Sequence, residues 1–214
     1  AYLDLVSSGQ IEMGDKVNFA VPTGNFGNIL AAYYAMRMGL PIGKLVCASN
    51  KNNILTDFIR TGVYDKRREF FKTMSPSMDI LISSNLERLL FELSGRNAVR
   101  TKLRMDKLRE EGVYEIYDEE KEEIGKLFYA DYCGEDETVE TIYEFFEEYQ
   151  YPMDTHTACA MYAAASYMEK EKDHDTPMVV VSTASPYKFP QDVMYALTGN
   201  DIKDSFKAIK HLNI

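Results

Sequence analysis

Val17-Asn18-Phe19-Ala20-Val21-Pro22-Thr23-Gly24-Asn25-Phe26-Gly27-Asn28 is the stretch from which the rest of the chain can be read. It opens as a short apolar run of strand-forming residues, turns on two glycines, and leads into a helical pattern from Ile29 to Met38 that Gly39 closes. A glycine turn between a strand end and a helix start lets bare backbone N–H groups converge on an anion, and the helix dipole reinforces them. Gly24 and Gly27 are expected to supply close approach or a positive φ, and Asn25 and Asn28 an amide donor or a helix cap. An ordinary tight strand-to-helix turn would read the same way, and the turn by itself does not separate the two. G-x-G-x-x-G is absent and no lysine follows Gly27, so neither the dinucleotide fingerprint nor the nucleotide P-loop applies.

Two more apolar runs, residues 45–48 and 178–182, also end in polar residues and precede helical patterns that begin near Asn52 and Pro190. Unbroken apolar strands alternating with helices predict an α/β fold in three layers, a mostly parallel sheet with helices on both faces. Right-handed crossovers then collect the strand C-terminal ends on one edge, where such sheets bind ligands. Residues 127–133 read as a further strand. Residues 135–149 read as a helix with Ile142, Phe145, Phe146 and Tyr149 turned inward. After Pro152, Asp154 or Thr155 is placed to cap a helix of small residues over 158–168. The expectation is one α/β domain over 1–214, in which 64–150 forms a largely helical, acidic insertion or cover.

The chain has 214 residues, 24 basic against 34 acidic, and a net charge of −10. Apolar and charged fractions of 45% and 27% are those of a globular protein, not of a disordered tail or a collagen-like repeat. No apolar run approaches the ~18 residues of a membrane span. The acidic balance excludes nucleic acid as the main partner, and residues 106–149 alone hold 17 acids and 4 bases. Cys47, Cys133 and Cys159 are scattered and without C-x-x-C spacing, which predicts reduced thiols in a cytoplasmic protein. His156 falls in a first helical turn, and His174 and His211 in polar surroundings; none has a metal-ligand partner in spacing, so no metal site is expected.

The word Val21-Pro22-Thr23-Gly24-Asn25-Phe26-Gly27-Asn28 closely resembles the phosphate loop of threonine synthases, which are pyridoxal-phosphate (PLP) enzymes of fold type II. Three further stretches stand in that family's order: Leu45 to Leu55 (LVCASNKNNIL), Tyr151 to Ala160 (YPMDTHTACA) and Ser182 to Phe189 (STASPYKF). The resemblance implies the large PLP-binding domain of that fold, in part, and places the phosphate cradle on Thr23, Gly24, Asn25, Phe26, Gly27 and Asn28. Thr183 is implied as the hydroxyl that meets the pyridine nitrogen. Many members read T-A-H-P where this chain has Thr183-Ala184-Ser185-Pro186, which leaves any imidazole role there lost or passed to Ser185. Asn50, Asn52, Ser185 and Lys188 are candidate substrate contacts; for the asparagines an Asx turn and helix cap is the competing reading.

The family's Schiff-base lysine sits in an F-K-D-like word that nothing here matches; Phe71-Lys72-Thr73 and Phe206-Lys207-Ala208 lack the acid. With Ala1 followed by what reads as helix interior, the expectation is a C-terminal portion of the enzyme whose N-terminal half, and catalytic lysine, lie upstream. No catalytic residue is then expected in this chain, and the stretch alone should turn over nothing. The implied reaction is conversion of O-phosphohomoserine and water to threonine and phosphate. Another fold type II PLP lyase, a threonine-synthase-like phospho-lyase, and a non-enzymatic phosphate-binding α/β module are the alternatives. The oligomeric state is open.

Overall fold

The computed structural model describes residues 1–212. Helix α1 (Tyr2–Ser7) leads to β1 (Val17–Pro22), α2 (Gly27–Arg37), β2 (Ile42–Ser49), α3 (Ile54–Thr61) and β3 (Val63–Asp65). A long connection with a 3₁₀ turn at Pro76–Met78 reaches α4 (Leu86–Leu93), α5 (Ala98–Glu110), β4 (Val113–Glu115), α6 (Asp118–Leu127) and β5 (Phe128–Tyr132). Then follow α7 (Glu135–Tyr149), α8 (Thr155–Glu171), β6 (Met178–Val180), a 3₁₀ turn at Pro186–Lys188, α9 (Pro190–Thr198) and α10 (Ser205–Leu212).

Four strands form one sheet in the order β5-β2-β1-β6, and every pairing in it is parallel. All six residues of β1 are buried, as a central strand requires when both faces are covered. Its side chains alternate between two cores. Val17, Phe19 and Val21 join Leu45 and Cys47 under Ile29, Leu30 and Phe58 of α2 and α3. Ala20, on the other face, meets Val46, Ala48 and the Ala160, Ala163, Ala164 and Tyr167 stripe of α8. Small residues on both sides bring α8 close to the sheet. A Leu, Ile or Phe fully buried in such a core contributes about 1.5–3 kcal/mol. The architecture is therefore the expected α/β one, with a mostly parallel sheet covered on both faces.

Residues 64–150 are largely helical, and they also build the body of the fold. Strand β5 is the edge of the main sheet. Ile142 of α7 packs with Met153, Ala158 and Val193 between α7, α8 and α9. The short ribbon β3–β4 is antiparallel, with Tyr64 stacked on Tyr114 at 5.2 Å between ring centroids. Tyr149 departs from the expected inward orientation: it is 58% exposed and rests on Phe145 with ring centroids 4.5 Å apart. A phenol at a helix end can cover apolar surface with its ring while its hydroxyl stays in water.

Candidate functional site

The C-terminal ends of β1 and β2 open onto the turn from Pro22 to Asn28. Helix α2 starts inside that turn without any side-chain cap, and its N-cap, Phe26, has φ 62°. A non-glycine residue in the left-handed region is strained, and here the ring holds it there: Phe26 is 1% exposed, with its centroid 5.8 Å from that of Phe128. A left-handed residue next to helical ones turns successive N–H groups toward one point. Among the described residues, the N–H groups of Gly24, Asn25, Phe26, Gly27, Asn28 and Ile29 have no protein acceptor. The loop's carbonyls are tied down on the opposite side. Ser83 Oγ donates to Gly24 O at 2.8 Å, and the Asn85 N–H and Nδ2 donate to Asn25 O at 3.2 and 2.8 Å. Donors are thus left free and acceptors are engaged, which is the polarity an anion requires.

Facing this turn across a cleft of about 290 Å³ are Ser77, Met78, His156 and Thr183. Thr183 is exposed just beyond β6, and its hydroxyl has no protein partner among the described residues. His156 is 2% exposed, bonded to Asp154 and to the Ser77 N–H, and its ring lies 4.6 Å from that of Phe189. Asp154 caps α8 by accepting from the N–H groups of His156 and Thr157 at 2.9 and 3.3 Å. Burial pushes its carboxyl up, but the His156 and Thr157 hydrogen bonds outweigh that and hold it below its ordinary value.

Several sequence expectations change at this level. The positive φ falls on Phe26 and not on Gly24 or Gly27. Gly24 is needed for close approach, since a Cβ there would stand 2.8 Å from the Ser77 carbonyl oxygen and 3.2 Å from Met78 Cα. Thr23 lines the cleft, but its N–H donates to Ala48 O and its hydroxyl to Val21 O, so both donors belong to the protein. Asn50 and Asn52 are buried and fully engaged. Asn50 Oδ1 accepts from the Asn52 N–H in an Asx turn, while its Nδ2 meets Thr73, Ser75 and Asp79. Asn52 bonds Phe71 through both amide atoms and also reaches Asp79. The Asx turn is present, but neither asparagine caps α3, which has no side-chain cap; the pair instead anchors the 71–79 loop, and no side-chain donor is left over for a substrate. Ser185 accepts from the Tyr187 N–H, and Lys188 lies over Phe189; both are exposed on the turn after Thr183 and outside the cleft lining. Ser77, Ser83 and Asn85 were not legible as site residues, because the 71–85 connection carries no periodic pattern.

Residues 157–213 match the family model described as "Threonine synthase, C-terminal". Threonine synthase of Pseudomonas aeruginosa is 42% identical over 184 residues, covering 86% of this chain and 38% of that protein. The chain belongs to the threonine synthase family. Human threonine synthase-like 1 is also 42% identical, over 206 residues that make up 96% of this chain and 27% of that protein. Among solved structures, the PLP-bound threonine synthase of Brucella melitensis superposes with a TM-score of 0.84 at 38% identity, over 95% of this chain and 42% of that one. Yeast threonine synthase superposes with a TM-score of 0.86 at 33% identity, over 99% and 45%. The chain thus spans less than half of the threonine synthases it resembles, and it corresponds to their C-terminal portion. No described helix is long and apolar enough to cross a membrane.

Proposed function

We propose that the cleft holds pyridoxal 5'-phosphate, in a protein that converts O-phosphohomoserine and water to threonine and phosphate. The observation that carries this reading is the run of six backbone N–H groups, Gly24 to Ile29, without protein acceptors at the start of α2. The donor set fits the group: amides for a phosphate ester, a free neutral hydroxyl at Thr183 for a pyridine nitrogen, and no carboxylate among the lining side chains. Family membership and the PLP in the Brucella melitensis relative support it.

When bound, PLP supplies the electron sink for chemistry beside an amino-acid nitrogen. In this reading the chain's own residues bind and orient. The Gly24–Ile29 amides and the α2 dipole hold the phosphate. The Phe26 ring fixes the left-handed turn that aims those amides. The Thr183 hydroxyl meets the ring nitrogen without holding it protonated, which suits elimination and replacement better than full delocalisation into the ring. Among the described residues no lysine lines the cleft, and in this reading the lysine that anchors the coenzyme belongs to the part of the protein that this chain does not span. Ser185 and Lys188, just past Thr183, are the chain's candidates for anionic groups of the substrate.

A second reading, a phospho-lyase that releases phosphate without forming threonine, draws on Ser185 in place of the family's histidine and on the likeness to threonine synthase-like 1. Incubating the full-length protein and PLP with O-phosphohomoserine separates the two. Threonine and phosphate in equal amounts establish the first; phosphate with a 2-keto acid establishes the second; no phosphate release refutes both.

A further inference from the structure

We infer that His156 is a positioning residue for the anion cleft: held by Asp154, it uses Nε2 to lock the Ser77–Met78 turn against Gly24. This rests on reading the Gly24–Ile29 turn as a phosphate cradle.

The hydrogen-bond network assigns the tautomer from three sides. Nδ1 faces the Asp154 carboxylate at 3.1 Å, which can only accept. It also faces Thr155 Oγ1 at 3.4 Å, and that hydroxyl already donates its proton to Met74 O at 2.7 Å. Nε2 lies 3.2 Å from the backbone N–H of Ser77, which can only donate. Nδ1 therefore carries the proton and Nε2 offers its lone pair. An Nε2 that accepts from a backbone N–H carries no proton, so the ring holds a single proton in this arrangement.

The consequence lies in the loop. Residues 74–77 are fastened to the start of α8 at two points, Met74 O by Thr155 and Ser77 N–H by His156. The Pro76–Met78 turn, which contains Ser77, presses so closely on Gly24 that a single added Cβ would meet the Ser77 carbonyl. That turn is the wall opposite the free amides. Asn50 and Asn52 hold Ser75 and Asp79 on either side, but nothing else among the described residues bonds the Ser77 N–H, so losing the Nε2 acceptor loosens the wall at Ser77, where it faces Gly24, and lets the cradle widen there. His156 does not neutralise the anion in this scheme; it sets the width of the site, and fixed donors near an oxyanion lose effect steeply with displacement.

The test uses the full-length protein and three readouts. In the ligand-free wild type, imidazole ¹⁵N shifts are expected to show Nδ1 protonated and Nε2 bare; a proton on Nε2 overturns the inference without touching the cradle reading. His156→Gln places an amide oxygen near the Nε2 position, whereas His156→Asn stops at the Nδ1 position. Inorganic phosphate, titrated against the amide resonances of Gly24 to Ile29, is expected to bind the Gln variant within about threefold of wild type and the Asn variant at least tenfold more weakly. Ser77 amide exchange should quicken at least tenfold in the Asn variant only. Equal phosphate affinity in both variants, or equal loss in both at unchanged melting temperature, contradicts the inference. Failure of wild type to shift those amides at all refutes the cradle itself, and the tautomer result still decides whether His156 fastens Ser77.

Discussion

The Phe26 ring sits 5.8 Å from Phe128, and this core contact lets Phe26 keep a left-handed backbone at the mouth of the cleft. Strain at the site is thereby held by packing from the sheet edge. Phe26→Ala removes the ring that over-determines the turn. The expected result is a loss of about 3–5 kcal/mol in urea unfolding, together with loss of phosphate-induced shifts in the Gly24–Ile29 amides. A variant that unfolds like wild type would show that the ring does not hold the turn.

Gly24 and Gly27 make a contrasting pair. A Cβ at Gly24 meets backbone atoms of Ser77 and Met78 at 2.8 and 3.2 Å, which cannot swing aside, whereas at Gly27 the nearest group is the Asn85 amide at 3.7 Å. Gly24→Ala should cost about 1–3 kcal/mol through overpacking. Gly27→Ala, in the first turn of α2 without a positive φ, should be neutral or stabilising by up to about 1 kcal/mol. Thermal melts of the two variants check this, and equal stability would contradict the packing described.

Thr183 is exposed and makes no protein hydrogen bond among the described residues, so Thr183→Val should leave the melting temperature within about 1 °C, as surface changes away from packed features do. If the hydroxyl is the ring-nitrogen partner, as proposed, the same change should nevertheless lower kcat of the full-length protein by at least tenfold. A drop in stability with unchanged kcat would assign the hydroxyl to the fold instead.

Acid stability should depend on Asp131 at the end of β5. Burial pushes this carboxyl up, but Lys170, Ser166, the Tyr132 N–H and Arg60 outweigh it and bring it down to about 2. A carboxyl lower in the folded than in the unfolded state contributes stability above the unfolded value near 4, and that contribution is lost as pH falls toward the folded value. Unfolding free energy should therefore decline between about pH 4 and pH 2 by an amount on the order of 1–2 kcal/mol attributable to this group. Asp131→Asn should be less stable at neutral pH and flatter across that window, measured by urea denaturation.

Three strands of the main sheet were legible as unbroken apolar runs and β5 as a mixed one, and the turn that opens α2 was legible from its glycines; the three-residue strands β3 and β4 are too short to leave a pattern. Residues 135–149 matched α7 to the residue. The helix expected over 158–168 runs from Thr155 to Glu171: at its start Thr155–Thr157 are polar residues buried by capping and hydrogen bonds that hydropathy does not reveal, and at its end Glu169–Glu171 form an exposed charged turn without an apolar pattern. Ser77, Ser83 and Asn85 were hidden for a related reason: their contribution is backbone contact with a loop more than fifty residues away, and no spacing records that. Propensity favours a glycine for a positive φ, yet burial of the Phe26 ring puts it on Phe26, and Gly24 serves the close approach instead.

In the proposed function the unpartnered amides opening α2 grip a phosphate ester. A crystal structure of the full-length protein grown with PLP tests it most directly. The expected density has phosphate oxygens about 2.7–3.2 Å from the N–H groups between Gly24 and Ile29, with the pyridine nitrogen beside the Thr183 hydroxyl. A coenzyme bound elsewhere, or those amides turned to protein acceptors with the cleft holding only water, would contradict it.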